Sequence, residues 1–305
     1  MIRGPDRRFP VPWALALLGG ILVLCFSVPL YRWGQFALRA HEGLFAYVFL
    51  VPCVSAYLIF AQRRQLFDES APARWVGWGI IGGGWLLLAA YLVAGRRTTS
   101  VVEDDLLALV TGSLVLFFAG GCGLLLGRKA YRAVAFPLAF LLLMLPFPVA
   151  LRDAVESFLQ HWSAVTAELF FRLSGMPVMR DAMYLQLPGI HMVVAQECSG
   201  IRSSVVLFIT SLLAGYLFLS TPWKRAILVG VVLPLGILRN AFRIFTIGQL
   251  CVRIGPEMFD SPLHRRGGPL FFALSLVPLL LLLWYFAKSD ARRKTKSPVQ
   301  GASHA

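Results

Sequence analysis

Residues capable of chemistry stand out where their type conflicts with their surroundings. The apolar stretch AILVGVVLPLGIL at 226–238 has 13 residues, fewer than the roughly twenty a helix needs to cross a bilayer. A crossing helix must therefore carry Arg239, Asn240 and Arg243 with it. Spacings of three and four put them on one helical face. Charge near the membrane centre costs upwards of about 2.5 kcal/mol unless it faces a bundle interior or a water-filled cavity. Function is thus the default expectation, with arginines snorkelling to the outer interface as the alternative. Cys198 lies beside Glu197 and before Ser199-Gly200, with no long apolar run on its N-terminal side. Cys25, Cys53 and Cys122 lie mid-run, where cysteine serves as a small hydrophobe. Cys251 is expected in an outer loop near Arg253 and lacks a setting like that of Cys198. His264, in SPLHRRGGPLFF, directly precedes the last apolar run; alone it reads more readily as a solvated loop histidine. His41 and His304 fall in a short loop and the tail, and His161 and His191 on a helix and a hairpin described below.

Cys198, Arg243 and His264 come from three separate segments, and together they can perform nucleophilic acyl transfer. A thiolate attacks a carbonyl, a histidine exchanges the proton with thiol and leaving amine, and an arginine holds the oxyanion or steadies the thiolate. A neighbouring cation also favours the thiolate, which is the nucleophilic form.

The elements that must position these groups are membrane helices. Hydrophobic residues make up 58% of the 305-residue chain and charged ones 14%, against about 45–50% and about 25% in soluble domains, which excludes a single soluble core. Apolar runs predict eight spans, at 11–31, 44–62, 74–94, 106–127, 131–150, 201–220, 226–247 and 268–287. The first is read as a retained helix, not a removed signal peptide. The expected organisation is one integral-membrane domain over 1–290 and a basic cytoplasmic tail over 291–305. The net charge of +14 is read as a topology signal before any acidic partner, and nucleic-acid binding is not expected. With both termini inside, all the lysines and just over half of the basic residues fall on the cytoplasmic side, as positive charge requires. Cys198, Arg243 and His264 then share the outer ends of consecutive spans. The five cysteines contain no C-x-x-C pair, so neither a zinc site nor a disulfide framework is suggested, and no cofactor is expected.

Two longer outer segments frame the reactive residues. Between Leu151 and Leu173 the residues Val155, Phe158, Leu159, Trp162, Val165, Leu169 and Leu173 recur at helical spacing, opposite Asp153, Glu156, Gln160, Ser163 and Glu168. This predicts an amphipathic helix along the outer membrane surface. VMRDAMYLQL, the turn pair Pro188-Gly189 and IHMVVAQ then predict a short β-hairpin leading to Cys198. Glycines in GIIGGG (79–84) and GGCGLLLG (120–127) predict close helix packing.

With these residues in place, the chain resembles the exosortase/archaeosortase family of multi-pass membrane cysteine transpeptidases. ECSGIRSS at 197–204 matches the family's CSGxR motif through Cys198, Ser199, Gly200 and Arg202. RNAFRI matches its N-x-x-R motif through Asn240 and Arg243, and HRRGGPLFF matches its third motif through His264, Gly268 and Phe272. Histidine at that third position is similar to the bacterial exosortase branch; Arg265 follows it, where many exosortases carry an acid. The resemblance implies Cys198 as nucleophile, Arg243 as the stabilising cation and His264 as acid/base. Glu197, Ser199, Gly200, Arg202, Arg239 and Asn240 are taken as supporting or substrate-binding residues. The implied partners are exported proteins whose C-terminal sorting signal combines a short motif, an apolar helix and a basic cluster, cleaved outside the cytoplasmic membrane. On the residues alone, two other readings stand: a transporter or lipid-handling protein that binds an anionic substrate through the arginines, and an assembly scaffold for envelope polysaccharide machinery.

Overall fold

Proline and glycine decide where the apolar runs become unbroken helices. The computed structural model describes residues 11–39, 46–63, 73–96, 103–195, 199–263 and 267–296. Glu197, Cys198, His264, Arg265, His41 and His304 lie outside the described residues. The chain packs as two compact units, 1–151 and 152–305.

In the first unit, α1 (Val11–Cys25) and α2 (Ser27–Arg39) meet at a 77° bend, where the sequence predicts one span. A 3-10 turn (Ala46–Phe49) leads into α3 (Leu50–Ala61), whose 12 residues fall short of a crossing. The 23-residue helices α4 (Arg74–Arg96) and α5 (Glu103–Leu125) pack as the glycines predict, but along one edge only. A Cβ on Gly120 would lie 2.6 Å from Ile81 Cγ1, and one on Gly77 would lie 2.9 Å from the Gly120 carbonyl, whereas Gly79 and Gly82 face open space. The predicted fifth span is broken into α6 (Arg128–Ala133), α7 (Ala135–Phe140) and a 3-10 turn (Leu141–Met144). Pro146 and Pro148 follow at once, and each disfavours helix in the residue before it. Cys122, Leu126, Ala130, Val134 and Leu138 form the core here.

The second unit opens with α8 (Val149–Leu173) and a three-stranded antiparallel sheet in the order β1 (Met179–Asp181), β2 (Tyr184–Leu187), β3 (Ile190–Val193). The predicted hairpin is β2–β3, with Leu187 opposite Ile190 and Gly189 at φ +79°, the conformation that Pro-Gly turns demand at their second position. Much of the polar face of α8 packs on protein, together with the buried Leu159. Ser163 is buried, Gln160 donates to the Val194 carbonyl, and Glu168 accepts from Arg180 at 2.6 Å. Phe158, Trp162, Leu169 and Leu173 are exposed, the side the sequence assigns to the membrane surface. His161 and His191 fall on α8 and β3 as predicted.

Three long helical elements complete the unit: α9 (Ile201–Phe218), α10 (Pro222–Gly230) continued by α11 (Val232–Arg253), and α12 (Gly268–Lys296). Leu207, Leu228, Val232, Leu279 and Phe286 pack between them. At the α9–α10 turn the buried Lys224 Nζ lies 2.6 Å from Asp290 Oδ1 of α12. The same carboxylate accepts from Ser220 N and Oγ at 2.9 Å and from Thr221 Oγ1 at 3.0 Å. Cys251 is buried in the last turn of α11, not in a loop, because the helix runs on to Arg253.

Among the described residues five helices are long and apolar enough to cross a membrane, or seven if two bent pairs each count as one span. Eight spans were expected from hydropathy; the bends and the short α3 account for the difference. Trp75 on α4 is 93% exposed, and Trp78, Leu86, Leu274, Leu281 and Trp284 are likewise uncovered. Apolar faces of this extent require lipid or protein against them.

Candidate active site

The site is built around the N-terminus of α9. Gly200 precedes that helix in the left-handed region, φ +75°, a conformation costing other residues about 1–2 kcal/mol. Space imposes the same choice: a Cβ there would lie 2.9 Å from Arg239 Nη2 and 3.2 Å from Asn240 Cγ. The residue two after Cys198 is thus seated directly on α11. Its carbonyl accepts from Arg239 Nη2 at 2.9 Å, from Ser204 N at 3.1 Å and from Ser203 Oγ at 3.3 Å. Arg239 Nη2 also lies 3.4 Å from Ser204 Oγ, beside Gly236, where a Cβ would come within 2.6 Å of that oxygen. Close approach of α9 and α11 therefore depends on two glycines, one of which, Gly236, the motifs do not mark.

Both flanks of residues 196–198 are anchored. On the N-terminal side Val194 is buried, donates its N–H to the Met183 carbonyl at 3.0 Å and accepts from Gln160. On the other side Ser199 is buried, with its Oγ 3.5 Å from Ile201 N. Beyond the third motif's histidine, Gly267 N donates to the Leu263 carbonyl at 3.0 Å, and a Cβ on Gly267 would collide with that oxygen. Gly267 is therefore the glycine that this close approach to Leu263 requires, whereas Gly268, the motif residue, has open space around it. Four residues on, Phe271 meets Phe242 of α11 edge-on, with centroids 6.2 Å apart.

Helix α11 is the shared platform. Arg239 and Asn240 are buried and touch Gly200; Phe242 takes Phe271; Arg243, one turn beyond Arg239, is half-buried. Arg202 in the first turn of α9 is also half-buried. Arg239 Nη1 is buried with no hydrogen-bond partner among the described residues. The position of α11 is set from below by α8 and the sheet: a Cβ on Gly248 would lie 2.5 Å from Phe171 Cζ, and Phe171, Leu185, Met192, Ala241 and Ile244 share one core. Of the sequence candidates, the structure thus brings together Ser199, Gly200, Arg239 and Asn240, with Arg243 on the next turn.

These features define a multi-pass helical membrane protein with a buried arginine-asparagine step beneath a glycine helix cap. The transmembrane exosortase family model matches residues 33–281, and the chain belongs to that family. No curated protein and no solved structure matches it.

Proposed function

We propose that the chain is a membrane-embedded cysteine protease or transpeptidase that cleaves the C-terminal sorting signal of exported proteins. The observation carrying this reading is the seating of Gly200, two residues after Cys198, on Arg239 and Asn240 in a chain of the exosortase family. In the reaction, Cys198 as thiolate attacks the scissile carbonyl, Arg243 stabilises the developing oxyanion, and His264 gives a proton to the departing amine. The C–N bond breaks, a thioester forms, and an acceptor amine or water releases the acyl group. The supporting residues are Glu197, Ser199, Gly200, Arg202, Arg239 and Asn240. We place the membrane domain at 1–290 in the cytoplasmic membrane, with both termini and the basic tail inside and the site on the outer, periplasmic side.

The test is Cys198→Ala expressed at wild-type level, with processing of proteins bearing a motif, an apolar helix and a basic cluster followed by immunoblot. Unprocessed precursor should accumulate completely, and Arg243→Ala and His264→Ala should reduce processing by at least about 100-fold. Normal processing in Cys198→Ala would sink the proposal. If arginine variants alone abolish function, the site binds an anion instead.

A further inference from the structure

The first unit carries a half-open cavity that the proposed chemistry does not use. Its volume is about 690 Å³, within the ~300–1,000 Å³ range of small-molecule sites. Its walls come from α1, α3, α5 and the 3-10 turn at 141–144, with Leu15, Leu22, Ile59, Val115 and Phe118 among them. Ser55 reaches the wall, but its hydroxyl already donates to the Pro137 carbonyl at 2.7 Å. A polar occupant would therefore lose its hydration without gaining a partner along most of the cavity.

Arg63 supplies the exception. It lines the cavity just beyond the last turn of α3, with its guanidinium 4.3 Å from the centroid of the Phe60 ring, another lining residue. Cation–π contact holds it folded back along the helix. No carboxylate pairs with it among the described residues. We propose that this cavity binds an anionic phospholipid, with an acyl chain between α1, α3 and α5 and the headgroup phosphate on Arg63. The cavity is too small for a substrate's signal helix: twenty helical residues fill roughly 2,400 Å³ at about 10 Å diameter and 30 Å length. A basic cluster at the end of such a helix would also meet a like charge at Arg63. The lipid site is independent of the Cys198 reaction.

The full-length protein is placed in nanodiscs of equal dioleoylphosphatidylglycerol and dioleoylphosphatidylcholine, released, and weighed by native mass spectrometry. One retained lipid is expected, with phosphatidylglycerol favoured by about fivefold, the worth of one cation at a charged lipid surface. Arg63→Gln, a change at an exposed position, should bring that preference close to one. Ala56→Trp, which fills the cavity, should remove the adduct of either lipid while circular dichroism shows the helical content unchanged. Equal retention of the two lipids by wild type, a preference that survives in Arg63→Gln, or an adduct that survives in a folded Ala56→Trp overturns the proposal. Should Ala56→Trp fail to fold, the Arg63→Gln comparison decides the matter alone.

Discussion

Lys224 on α10 and Arg239 on α11 are 3% and 7% exposed, yet the protein treats the two buried cations in opposite ways. The ammonium of Lys224 meets Asp290 at 2.6 Å, and that carboxylate also takes three donors from Ser220 and Thr221. Every strong group in that cluster has a partner. Arg239 shares one nitrogen between Gly200 and Ser204, and its Nη1 has none among the described residues. Buried polar groups are satisfied in the great majority of cases, so an orphan asks for a reason. The contrast separates a polar cluster that locks helices together from one that leaves a buried donor without a partner among the described residues beneath the α9 cap.

The largest effect is expected at the complete cluster. Asp290→Ala leaves Lys224 buried without its counter-ion and should destabilise the protein by about 3 kcal/mol or more, whereas Lys224→Met with Asp290→Leu should restore most of it. Reversible unfolding in mixed micelles measures both. If Asp290→Ala is neutral, the cluster is not the lock inferred from its geometry.

At the incomplete cluster the balance reverses. Arg239→Met removes a charge that was never fully compensated, and the Gly200 carbonyl keeps its bonds from Ser204 and Ser203. Stability should change by less than about 1 kcal/mol, while signal processing falls by about 100-fold, the scale of losing one aligned donor at a reacting centre. A loss of stability as large as that of Asp290→Ala would place Arg239 with Lys224 as a structural cation.

The two clusters also differ in how far the sequence reveals them. Arg239, Asn240 and Arg243 interrupt an apolar run at three- and four-residue spacing, so their shared face is readable from periodicity. Lys224 reads there only as one more orienting charge, because its partner is 66 residues away and no periodicity connects the two. The one hint is that Asp290 is the single acid in KSDARRKTK. Amphipathicity marks α8 correctly but not which side meets protein, since Ser163 and Gln160 find their partners in the tertiary structure. Pro146 and Pro148 are visible breakers, yet the hydropathy window that predicts the fifth span runs across them. Gly236 and Gly248 are required by close approaches of side chains distant in sequence, which no single-chain pattern encodes.

Gly200 permits a finer test of the comparison, with the smallest expected change in stability relative to its functional effect. Gly200→Ala keeps a left-handed residue at the α9 cap, at about 1–2 kcal/mol. Its new methyl group points at the side-chain ends of Arg239 and Asn240, of which the long arginine is the one that can give way. The fold should therefore survive, and processing should drop by about tenfold or more because the guanidinium no longer sits under the Gly200 carbonyl. If Gly200 acts through Arg239, the double variant Gly200→Ala with Arg239→Met should process no worse than Arg239→Met alone, since contacting residues in one network are not additive. Losses that multiply instead would mean that the glycine serves the α9 cap and the arginine serves the reaction separately, and the two halves of the incomplete cluster would have to be explained apart.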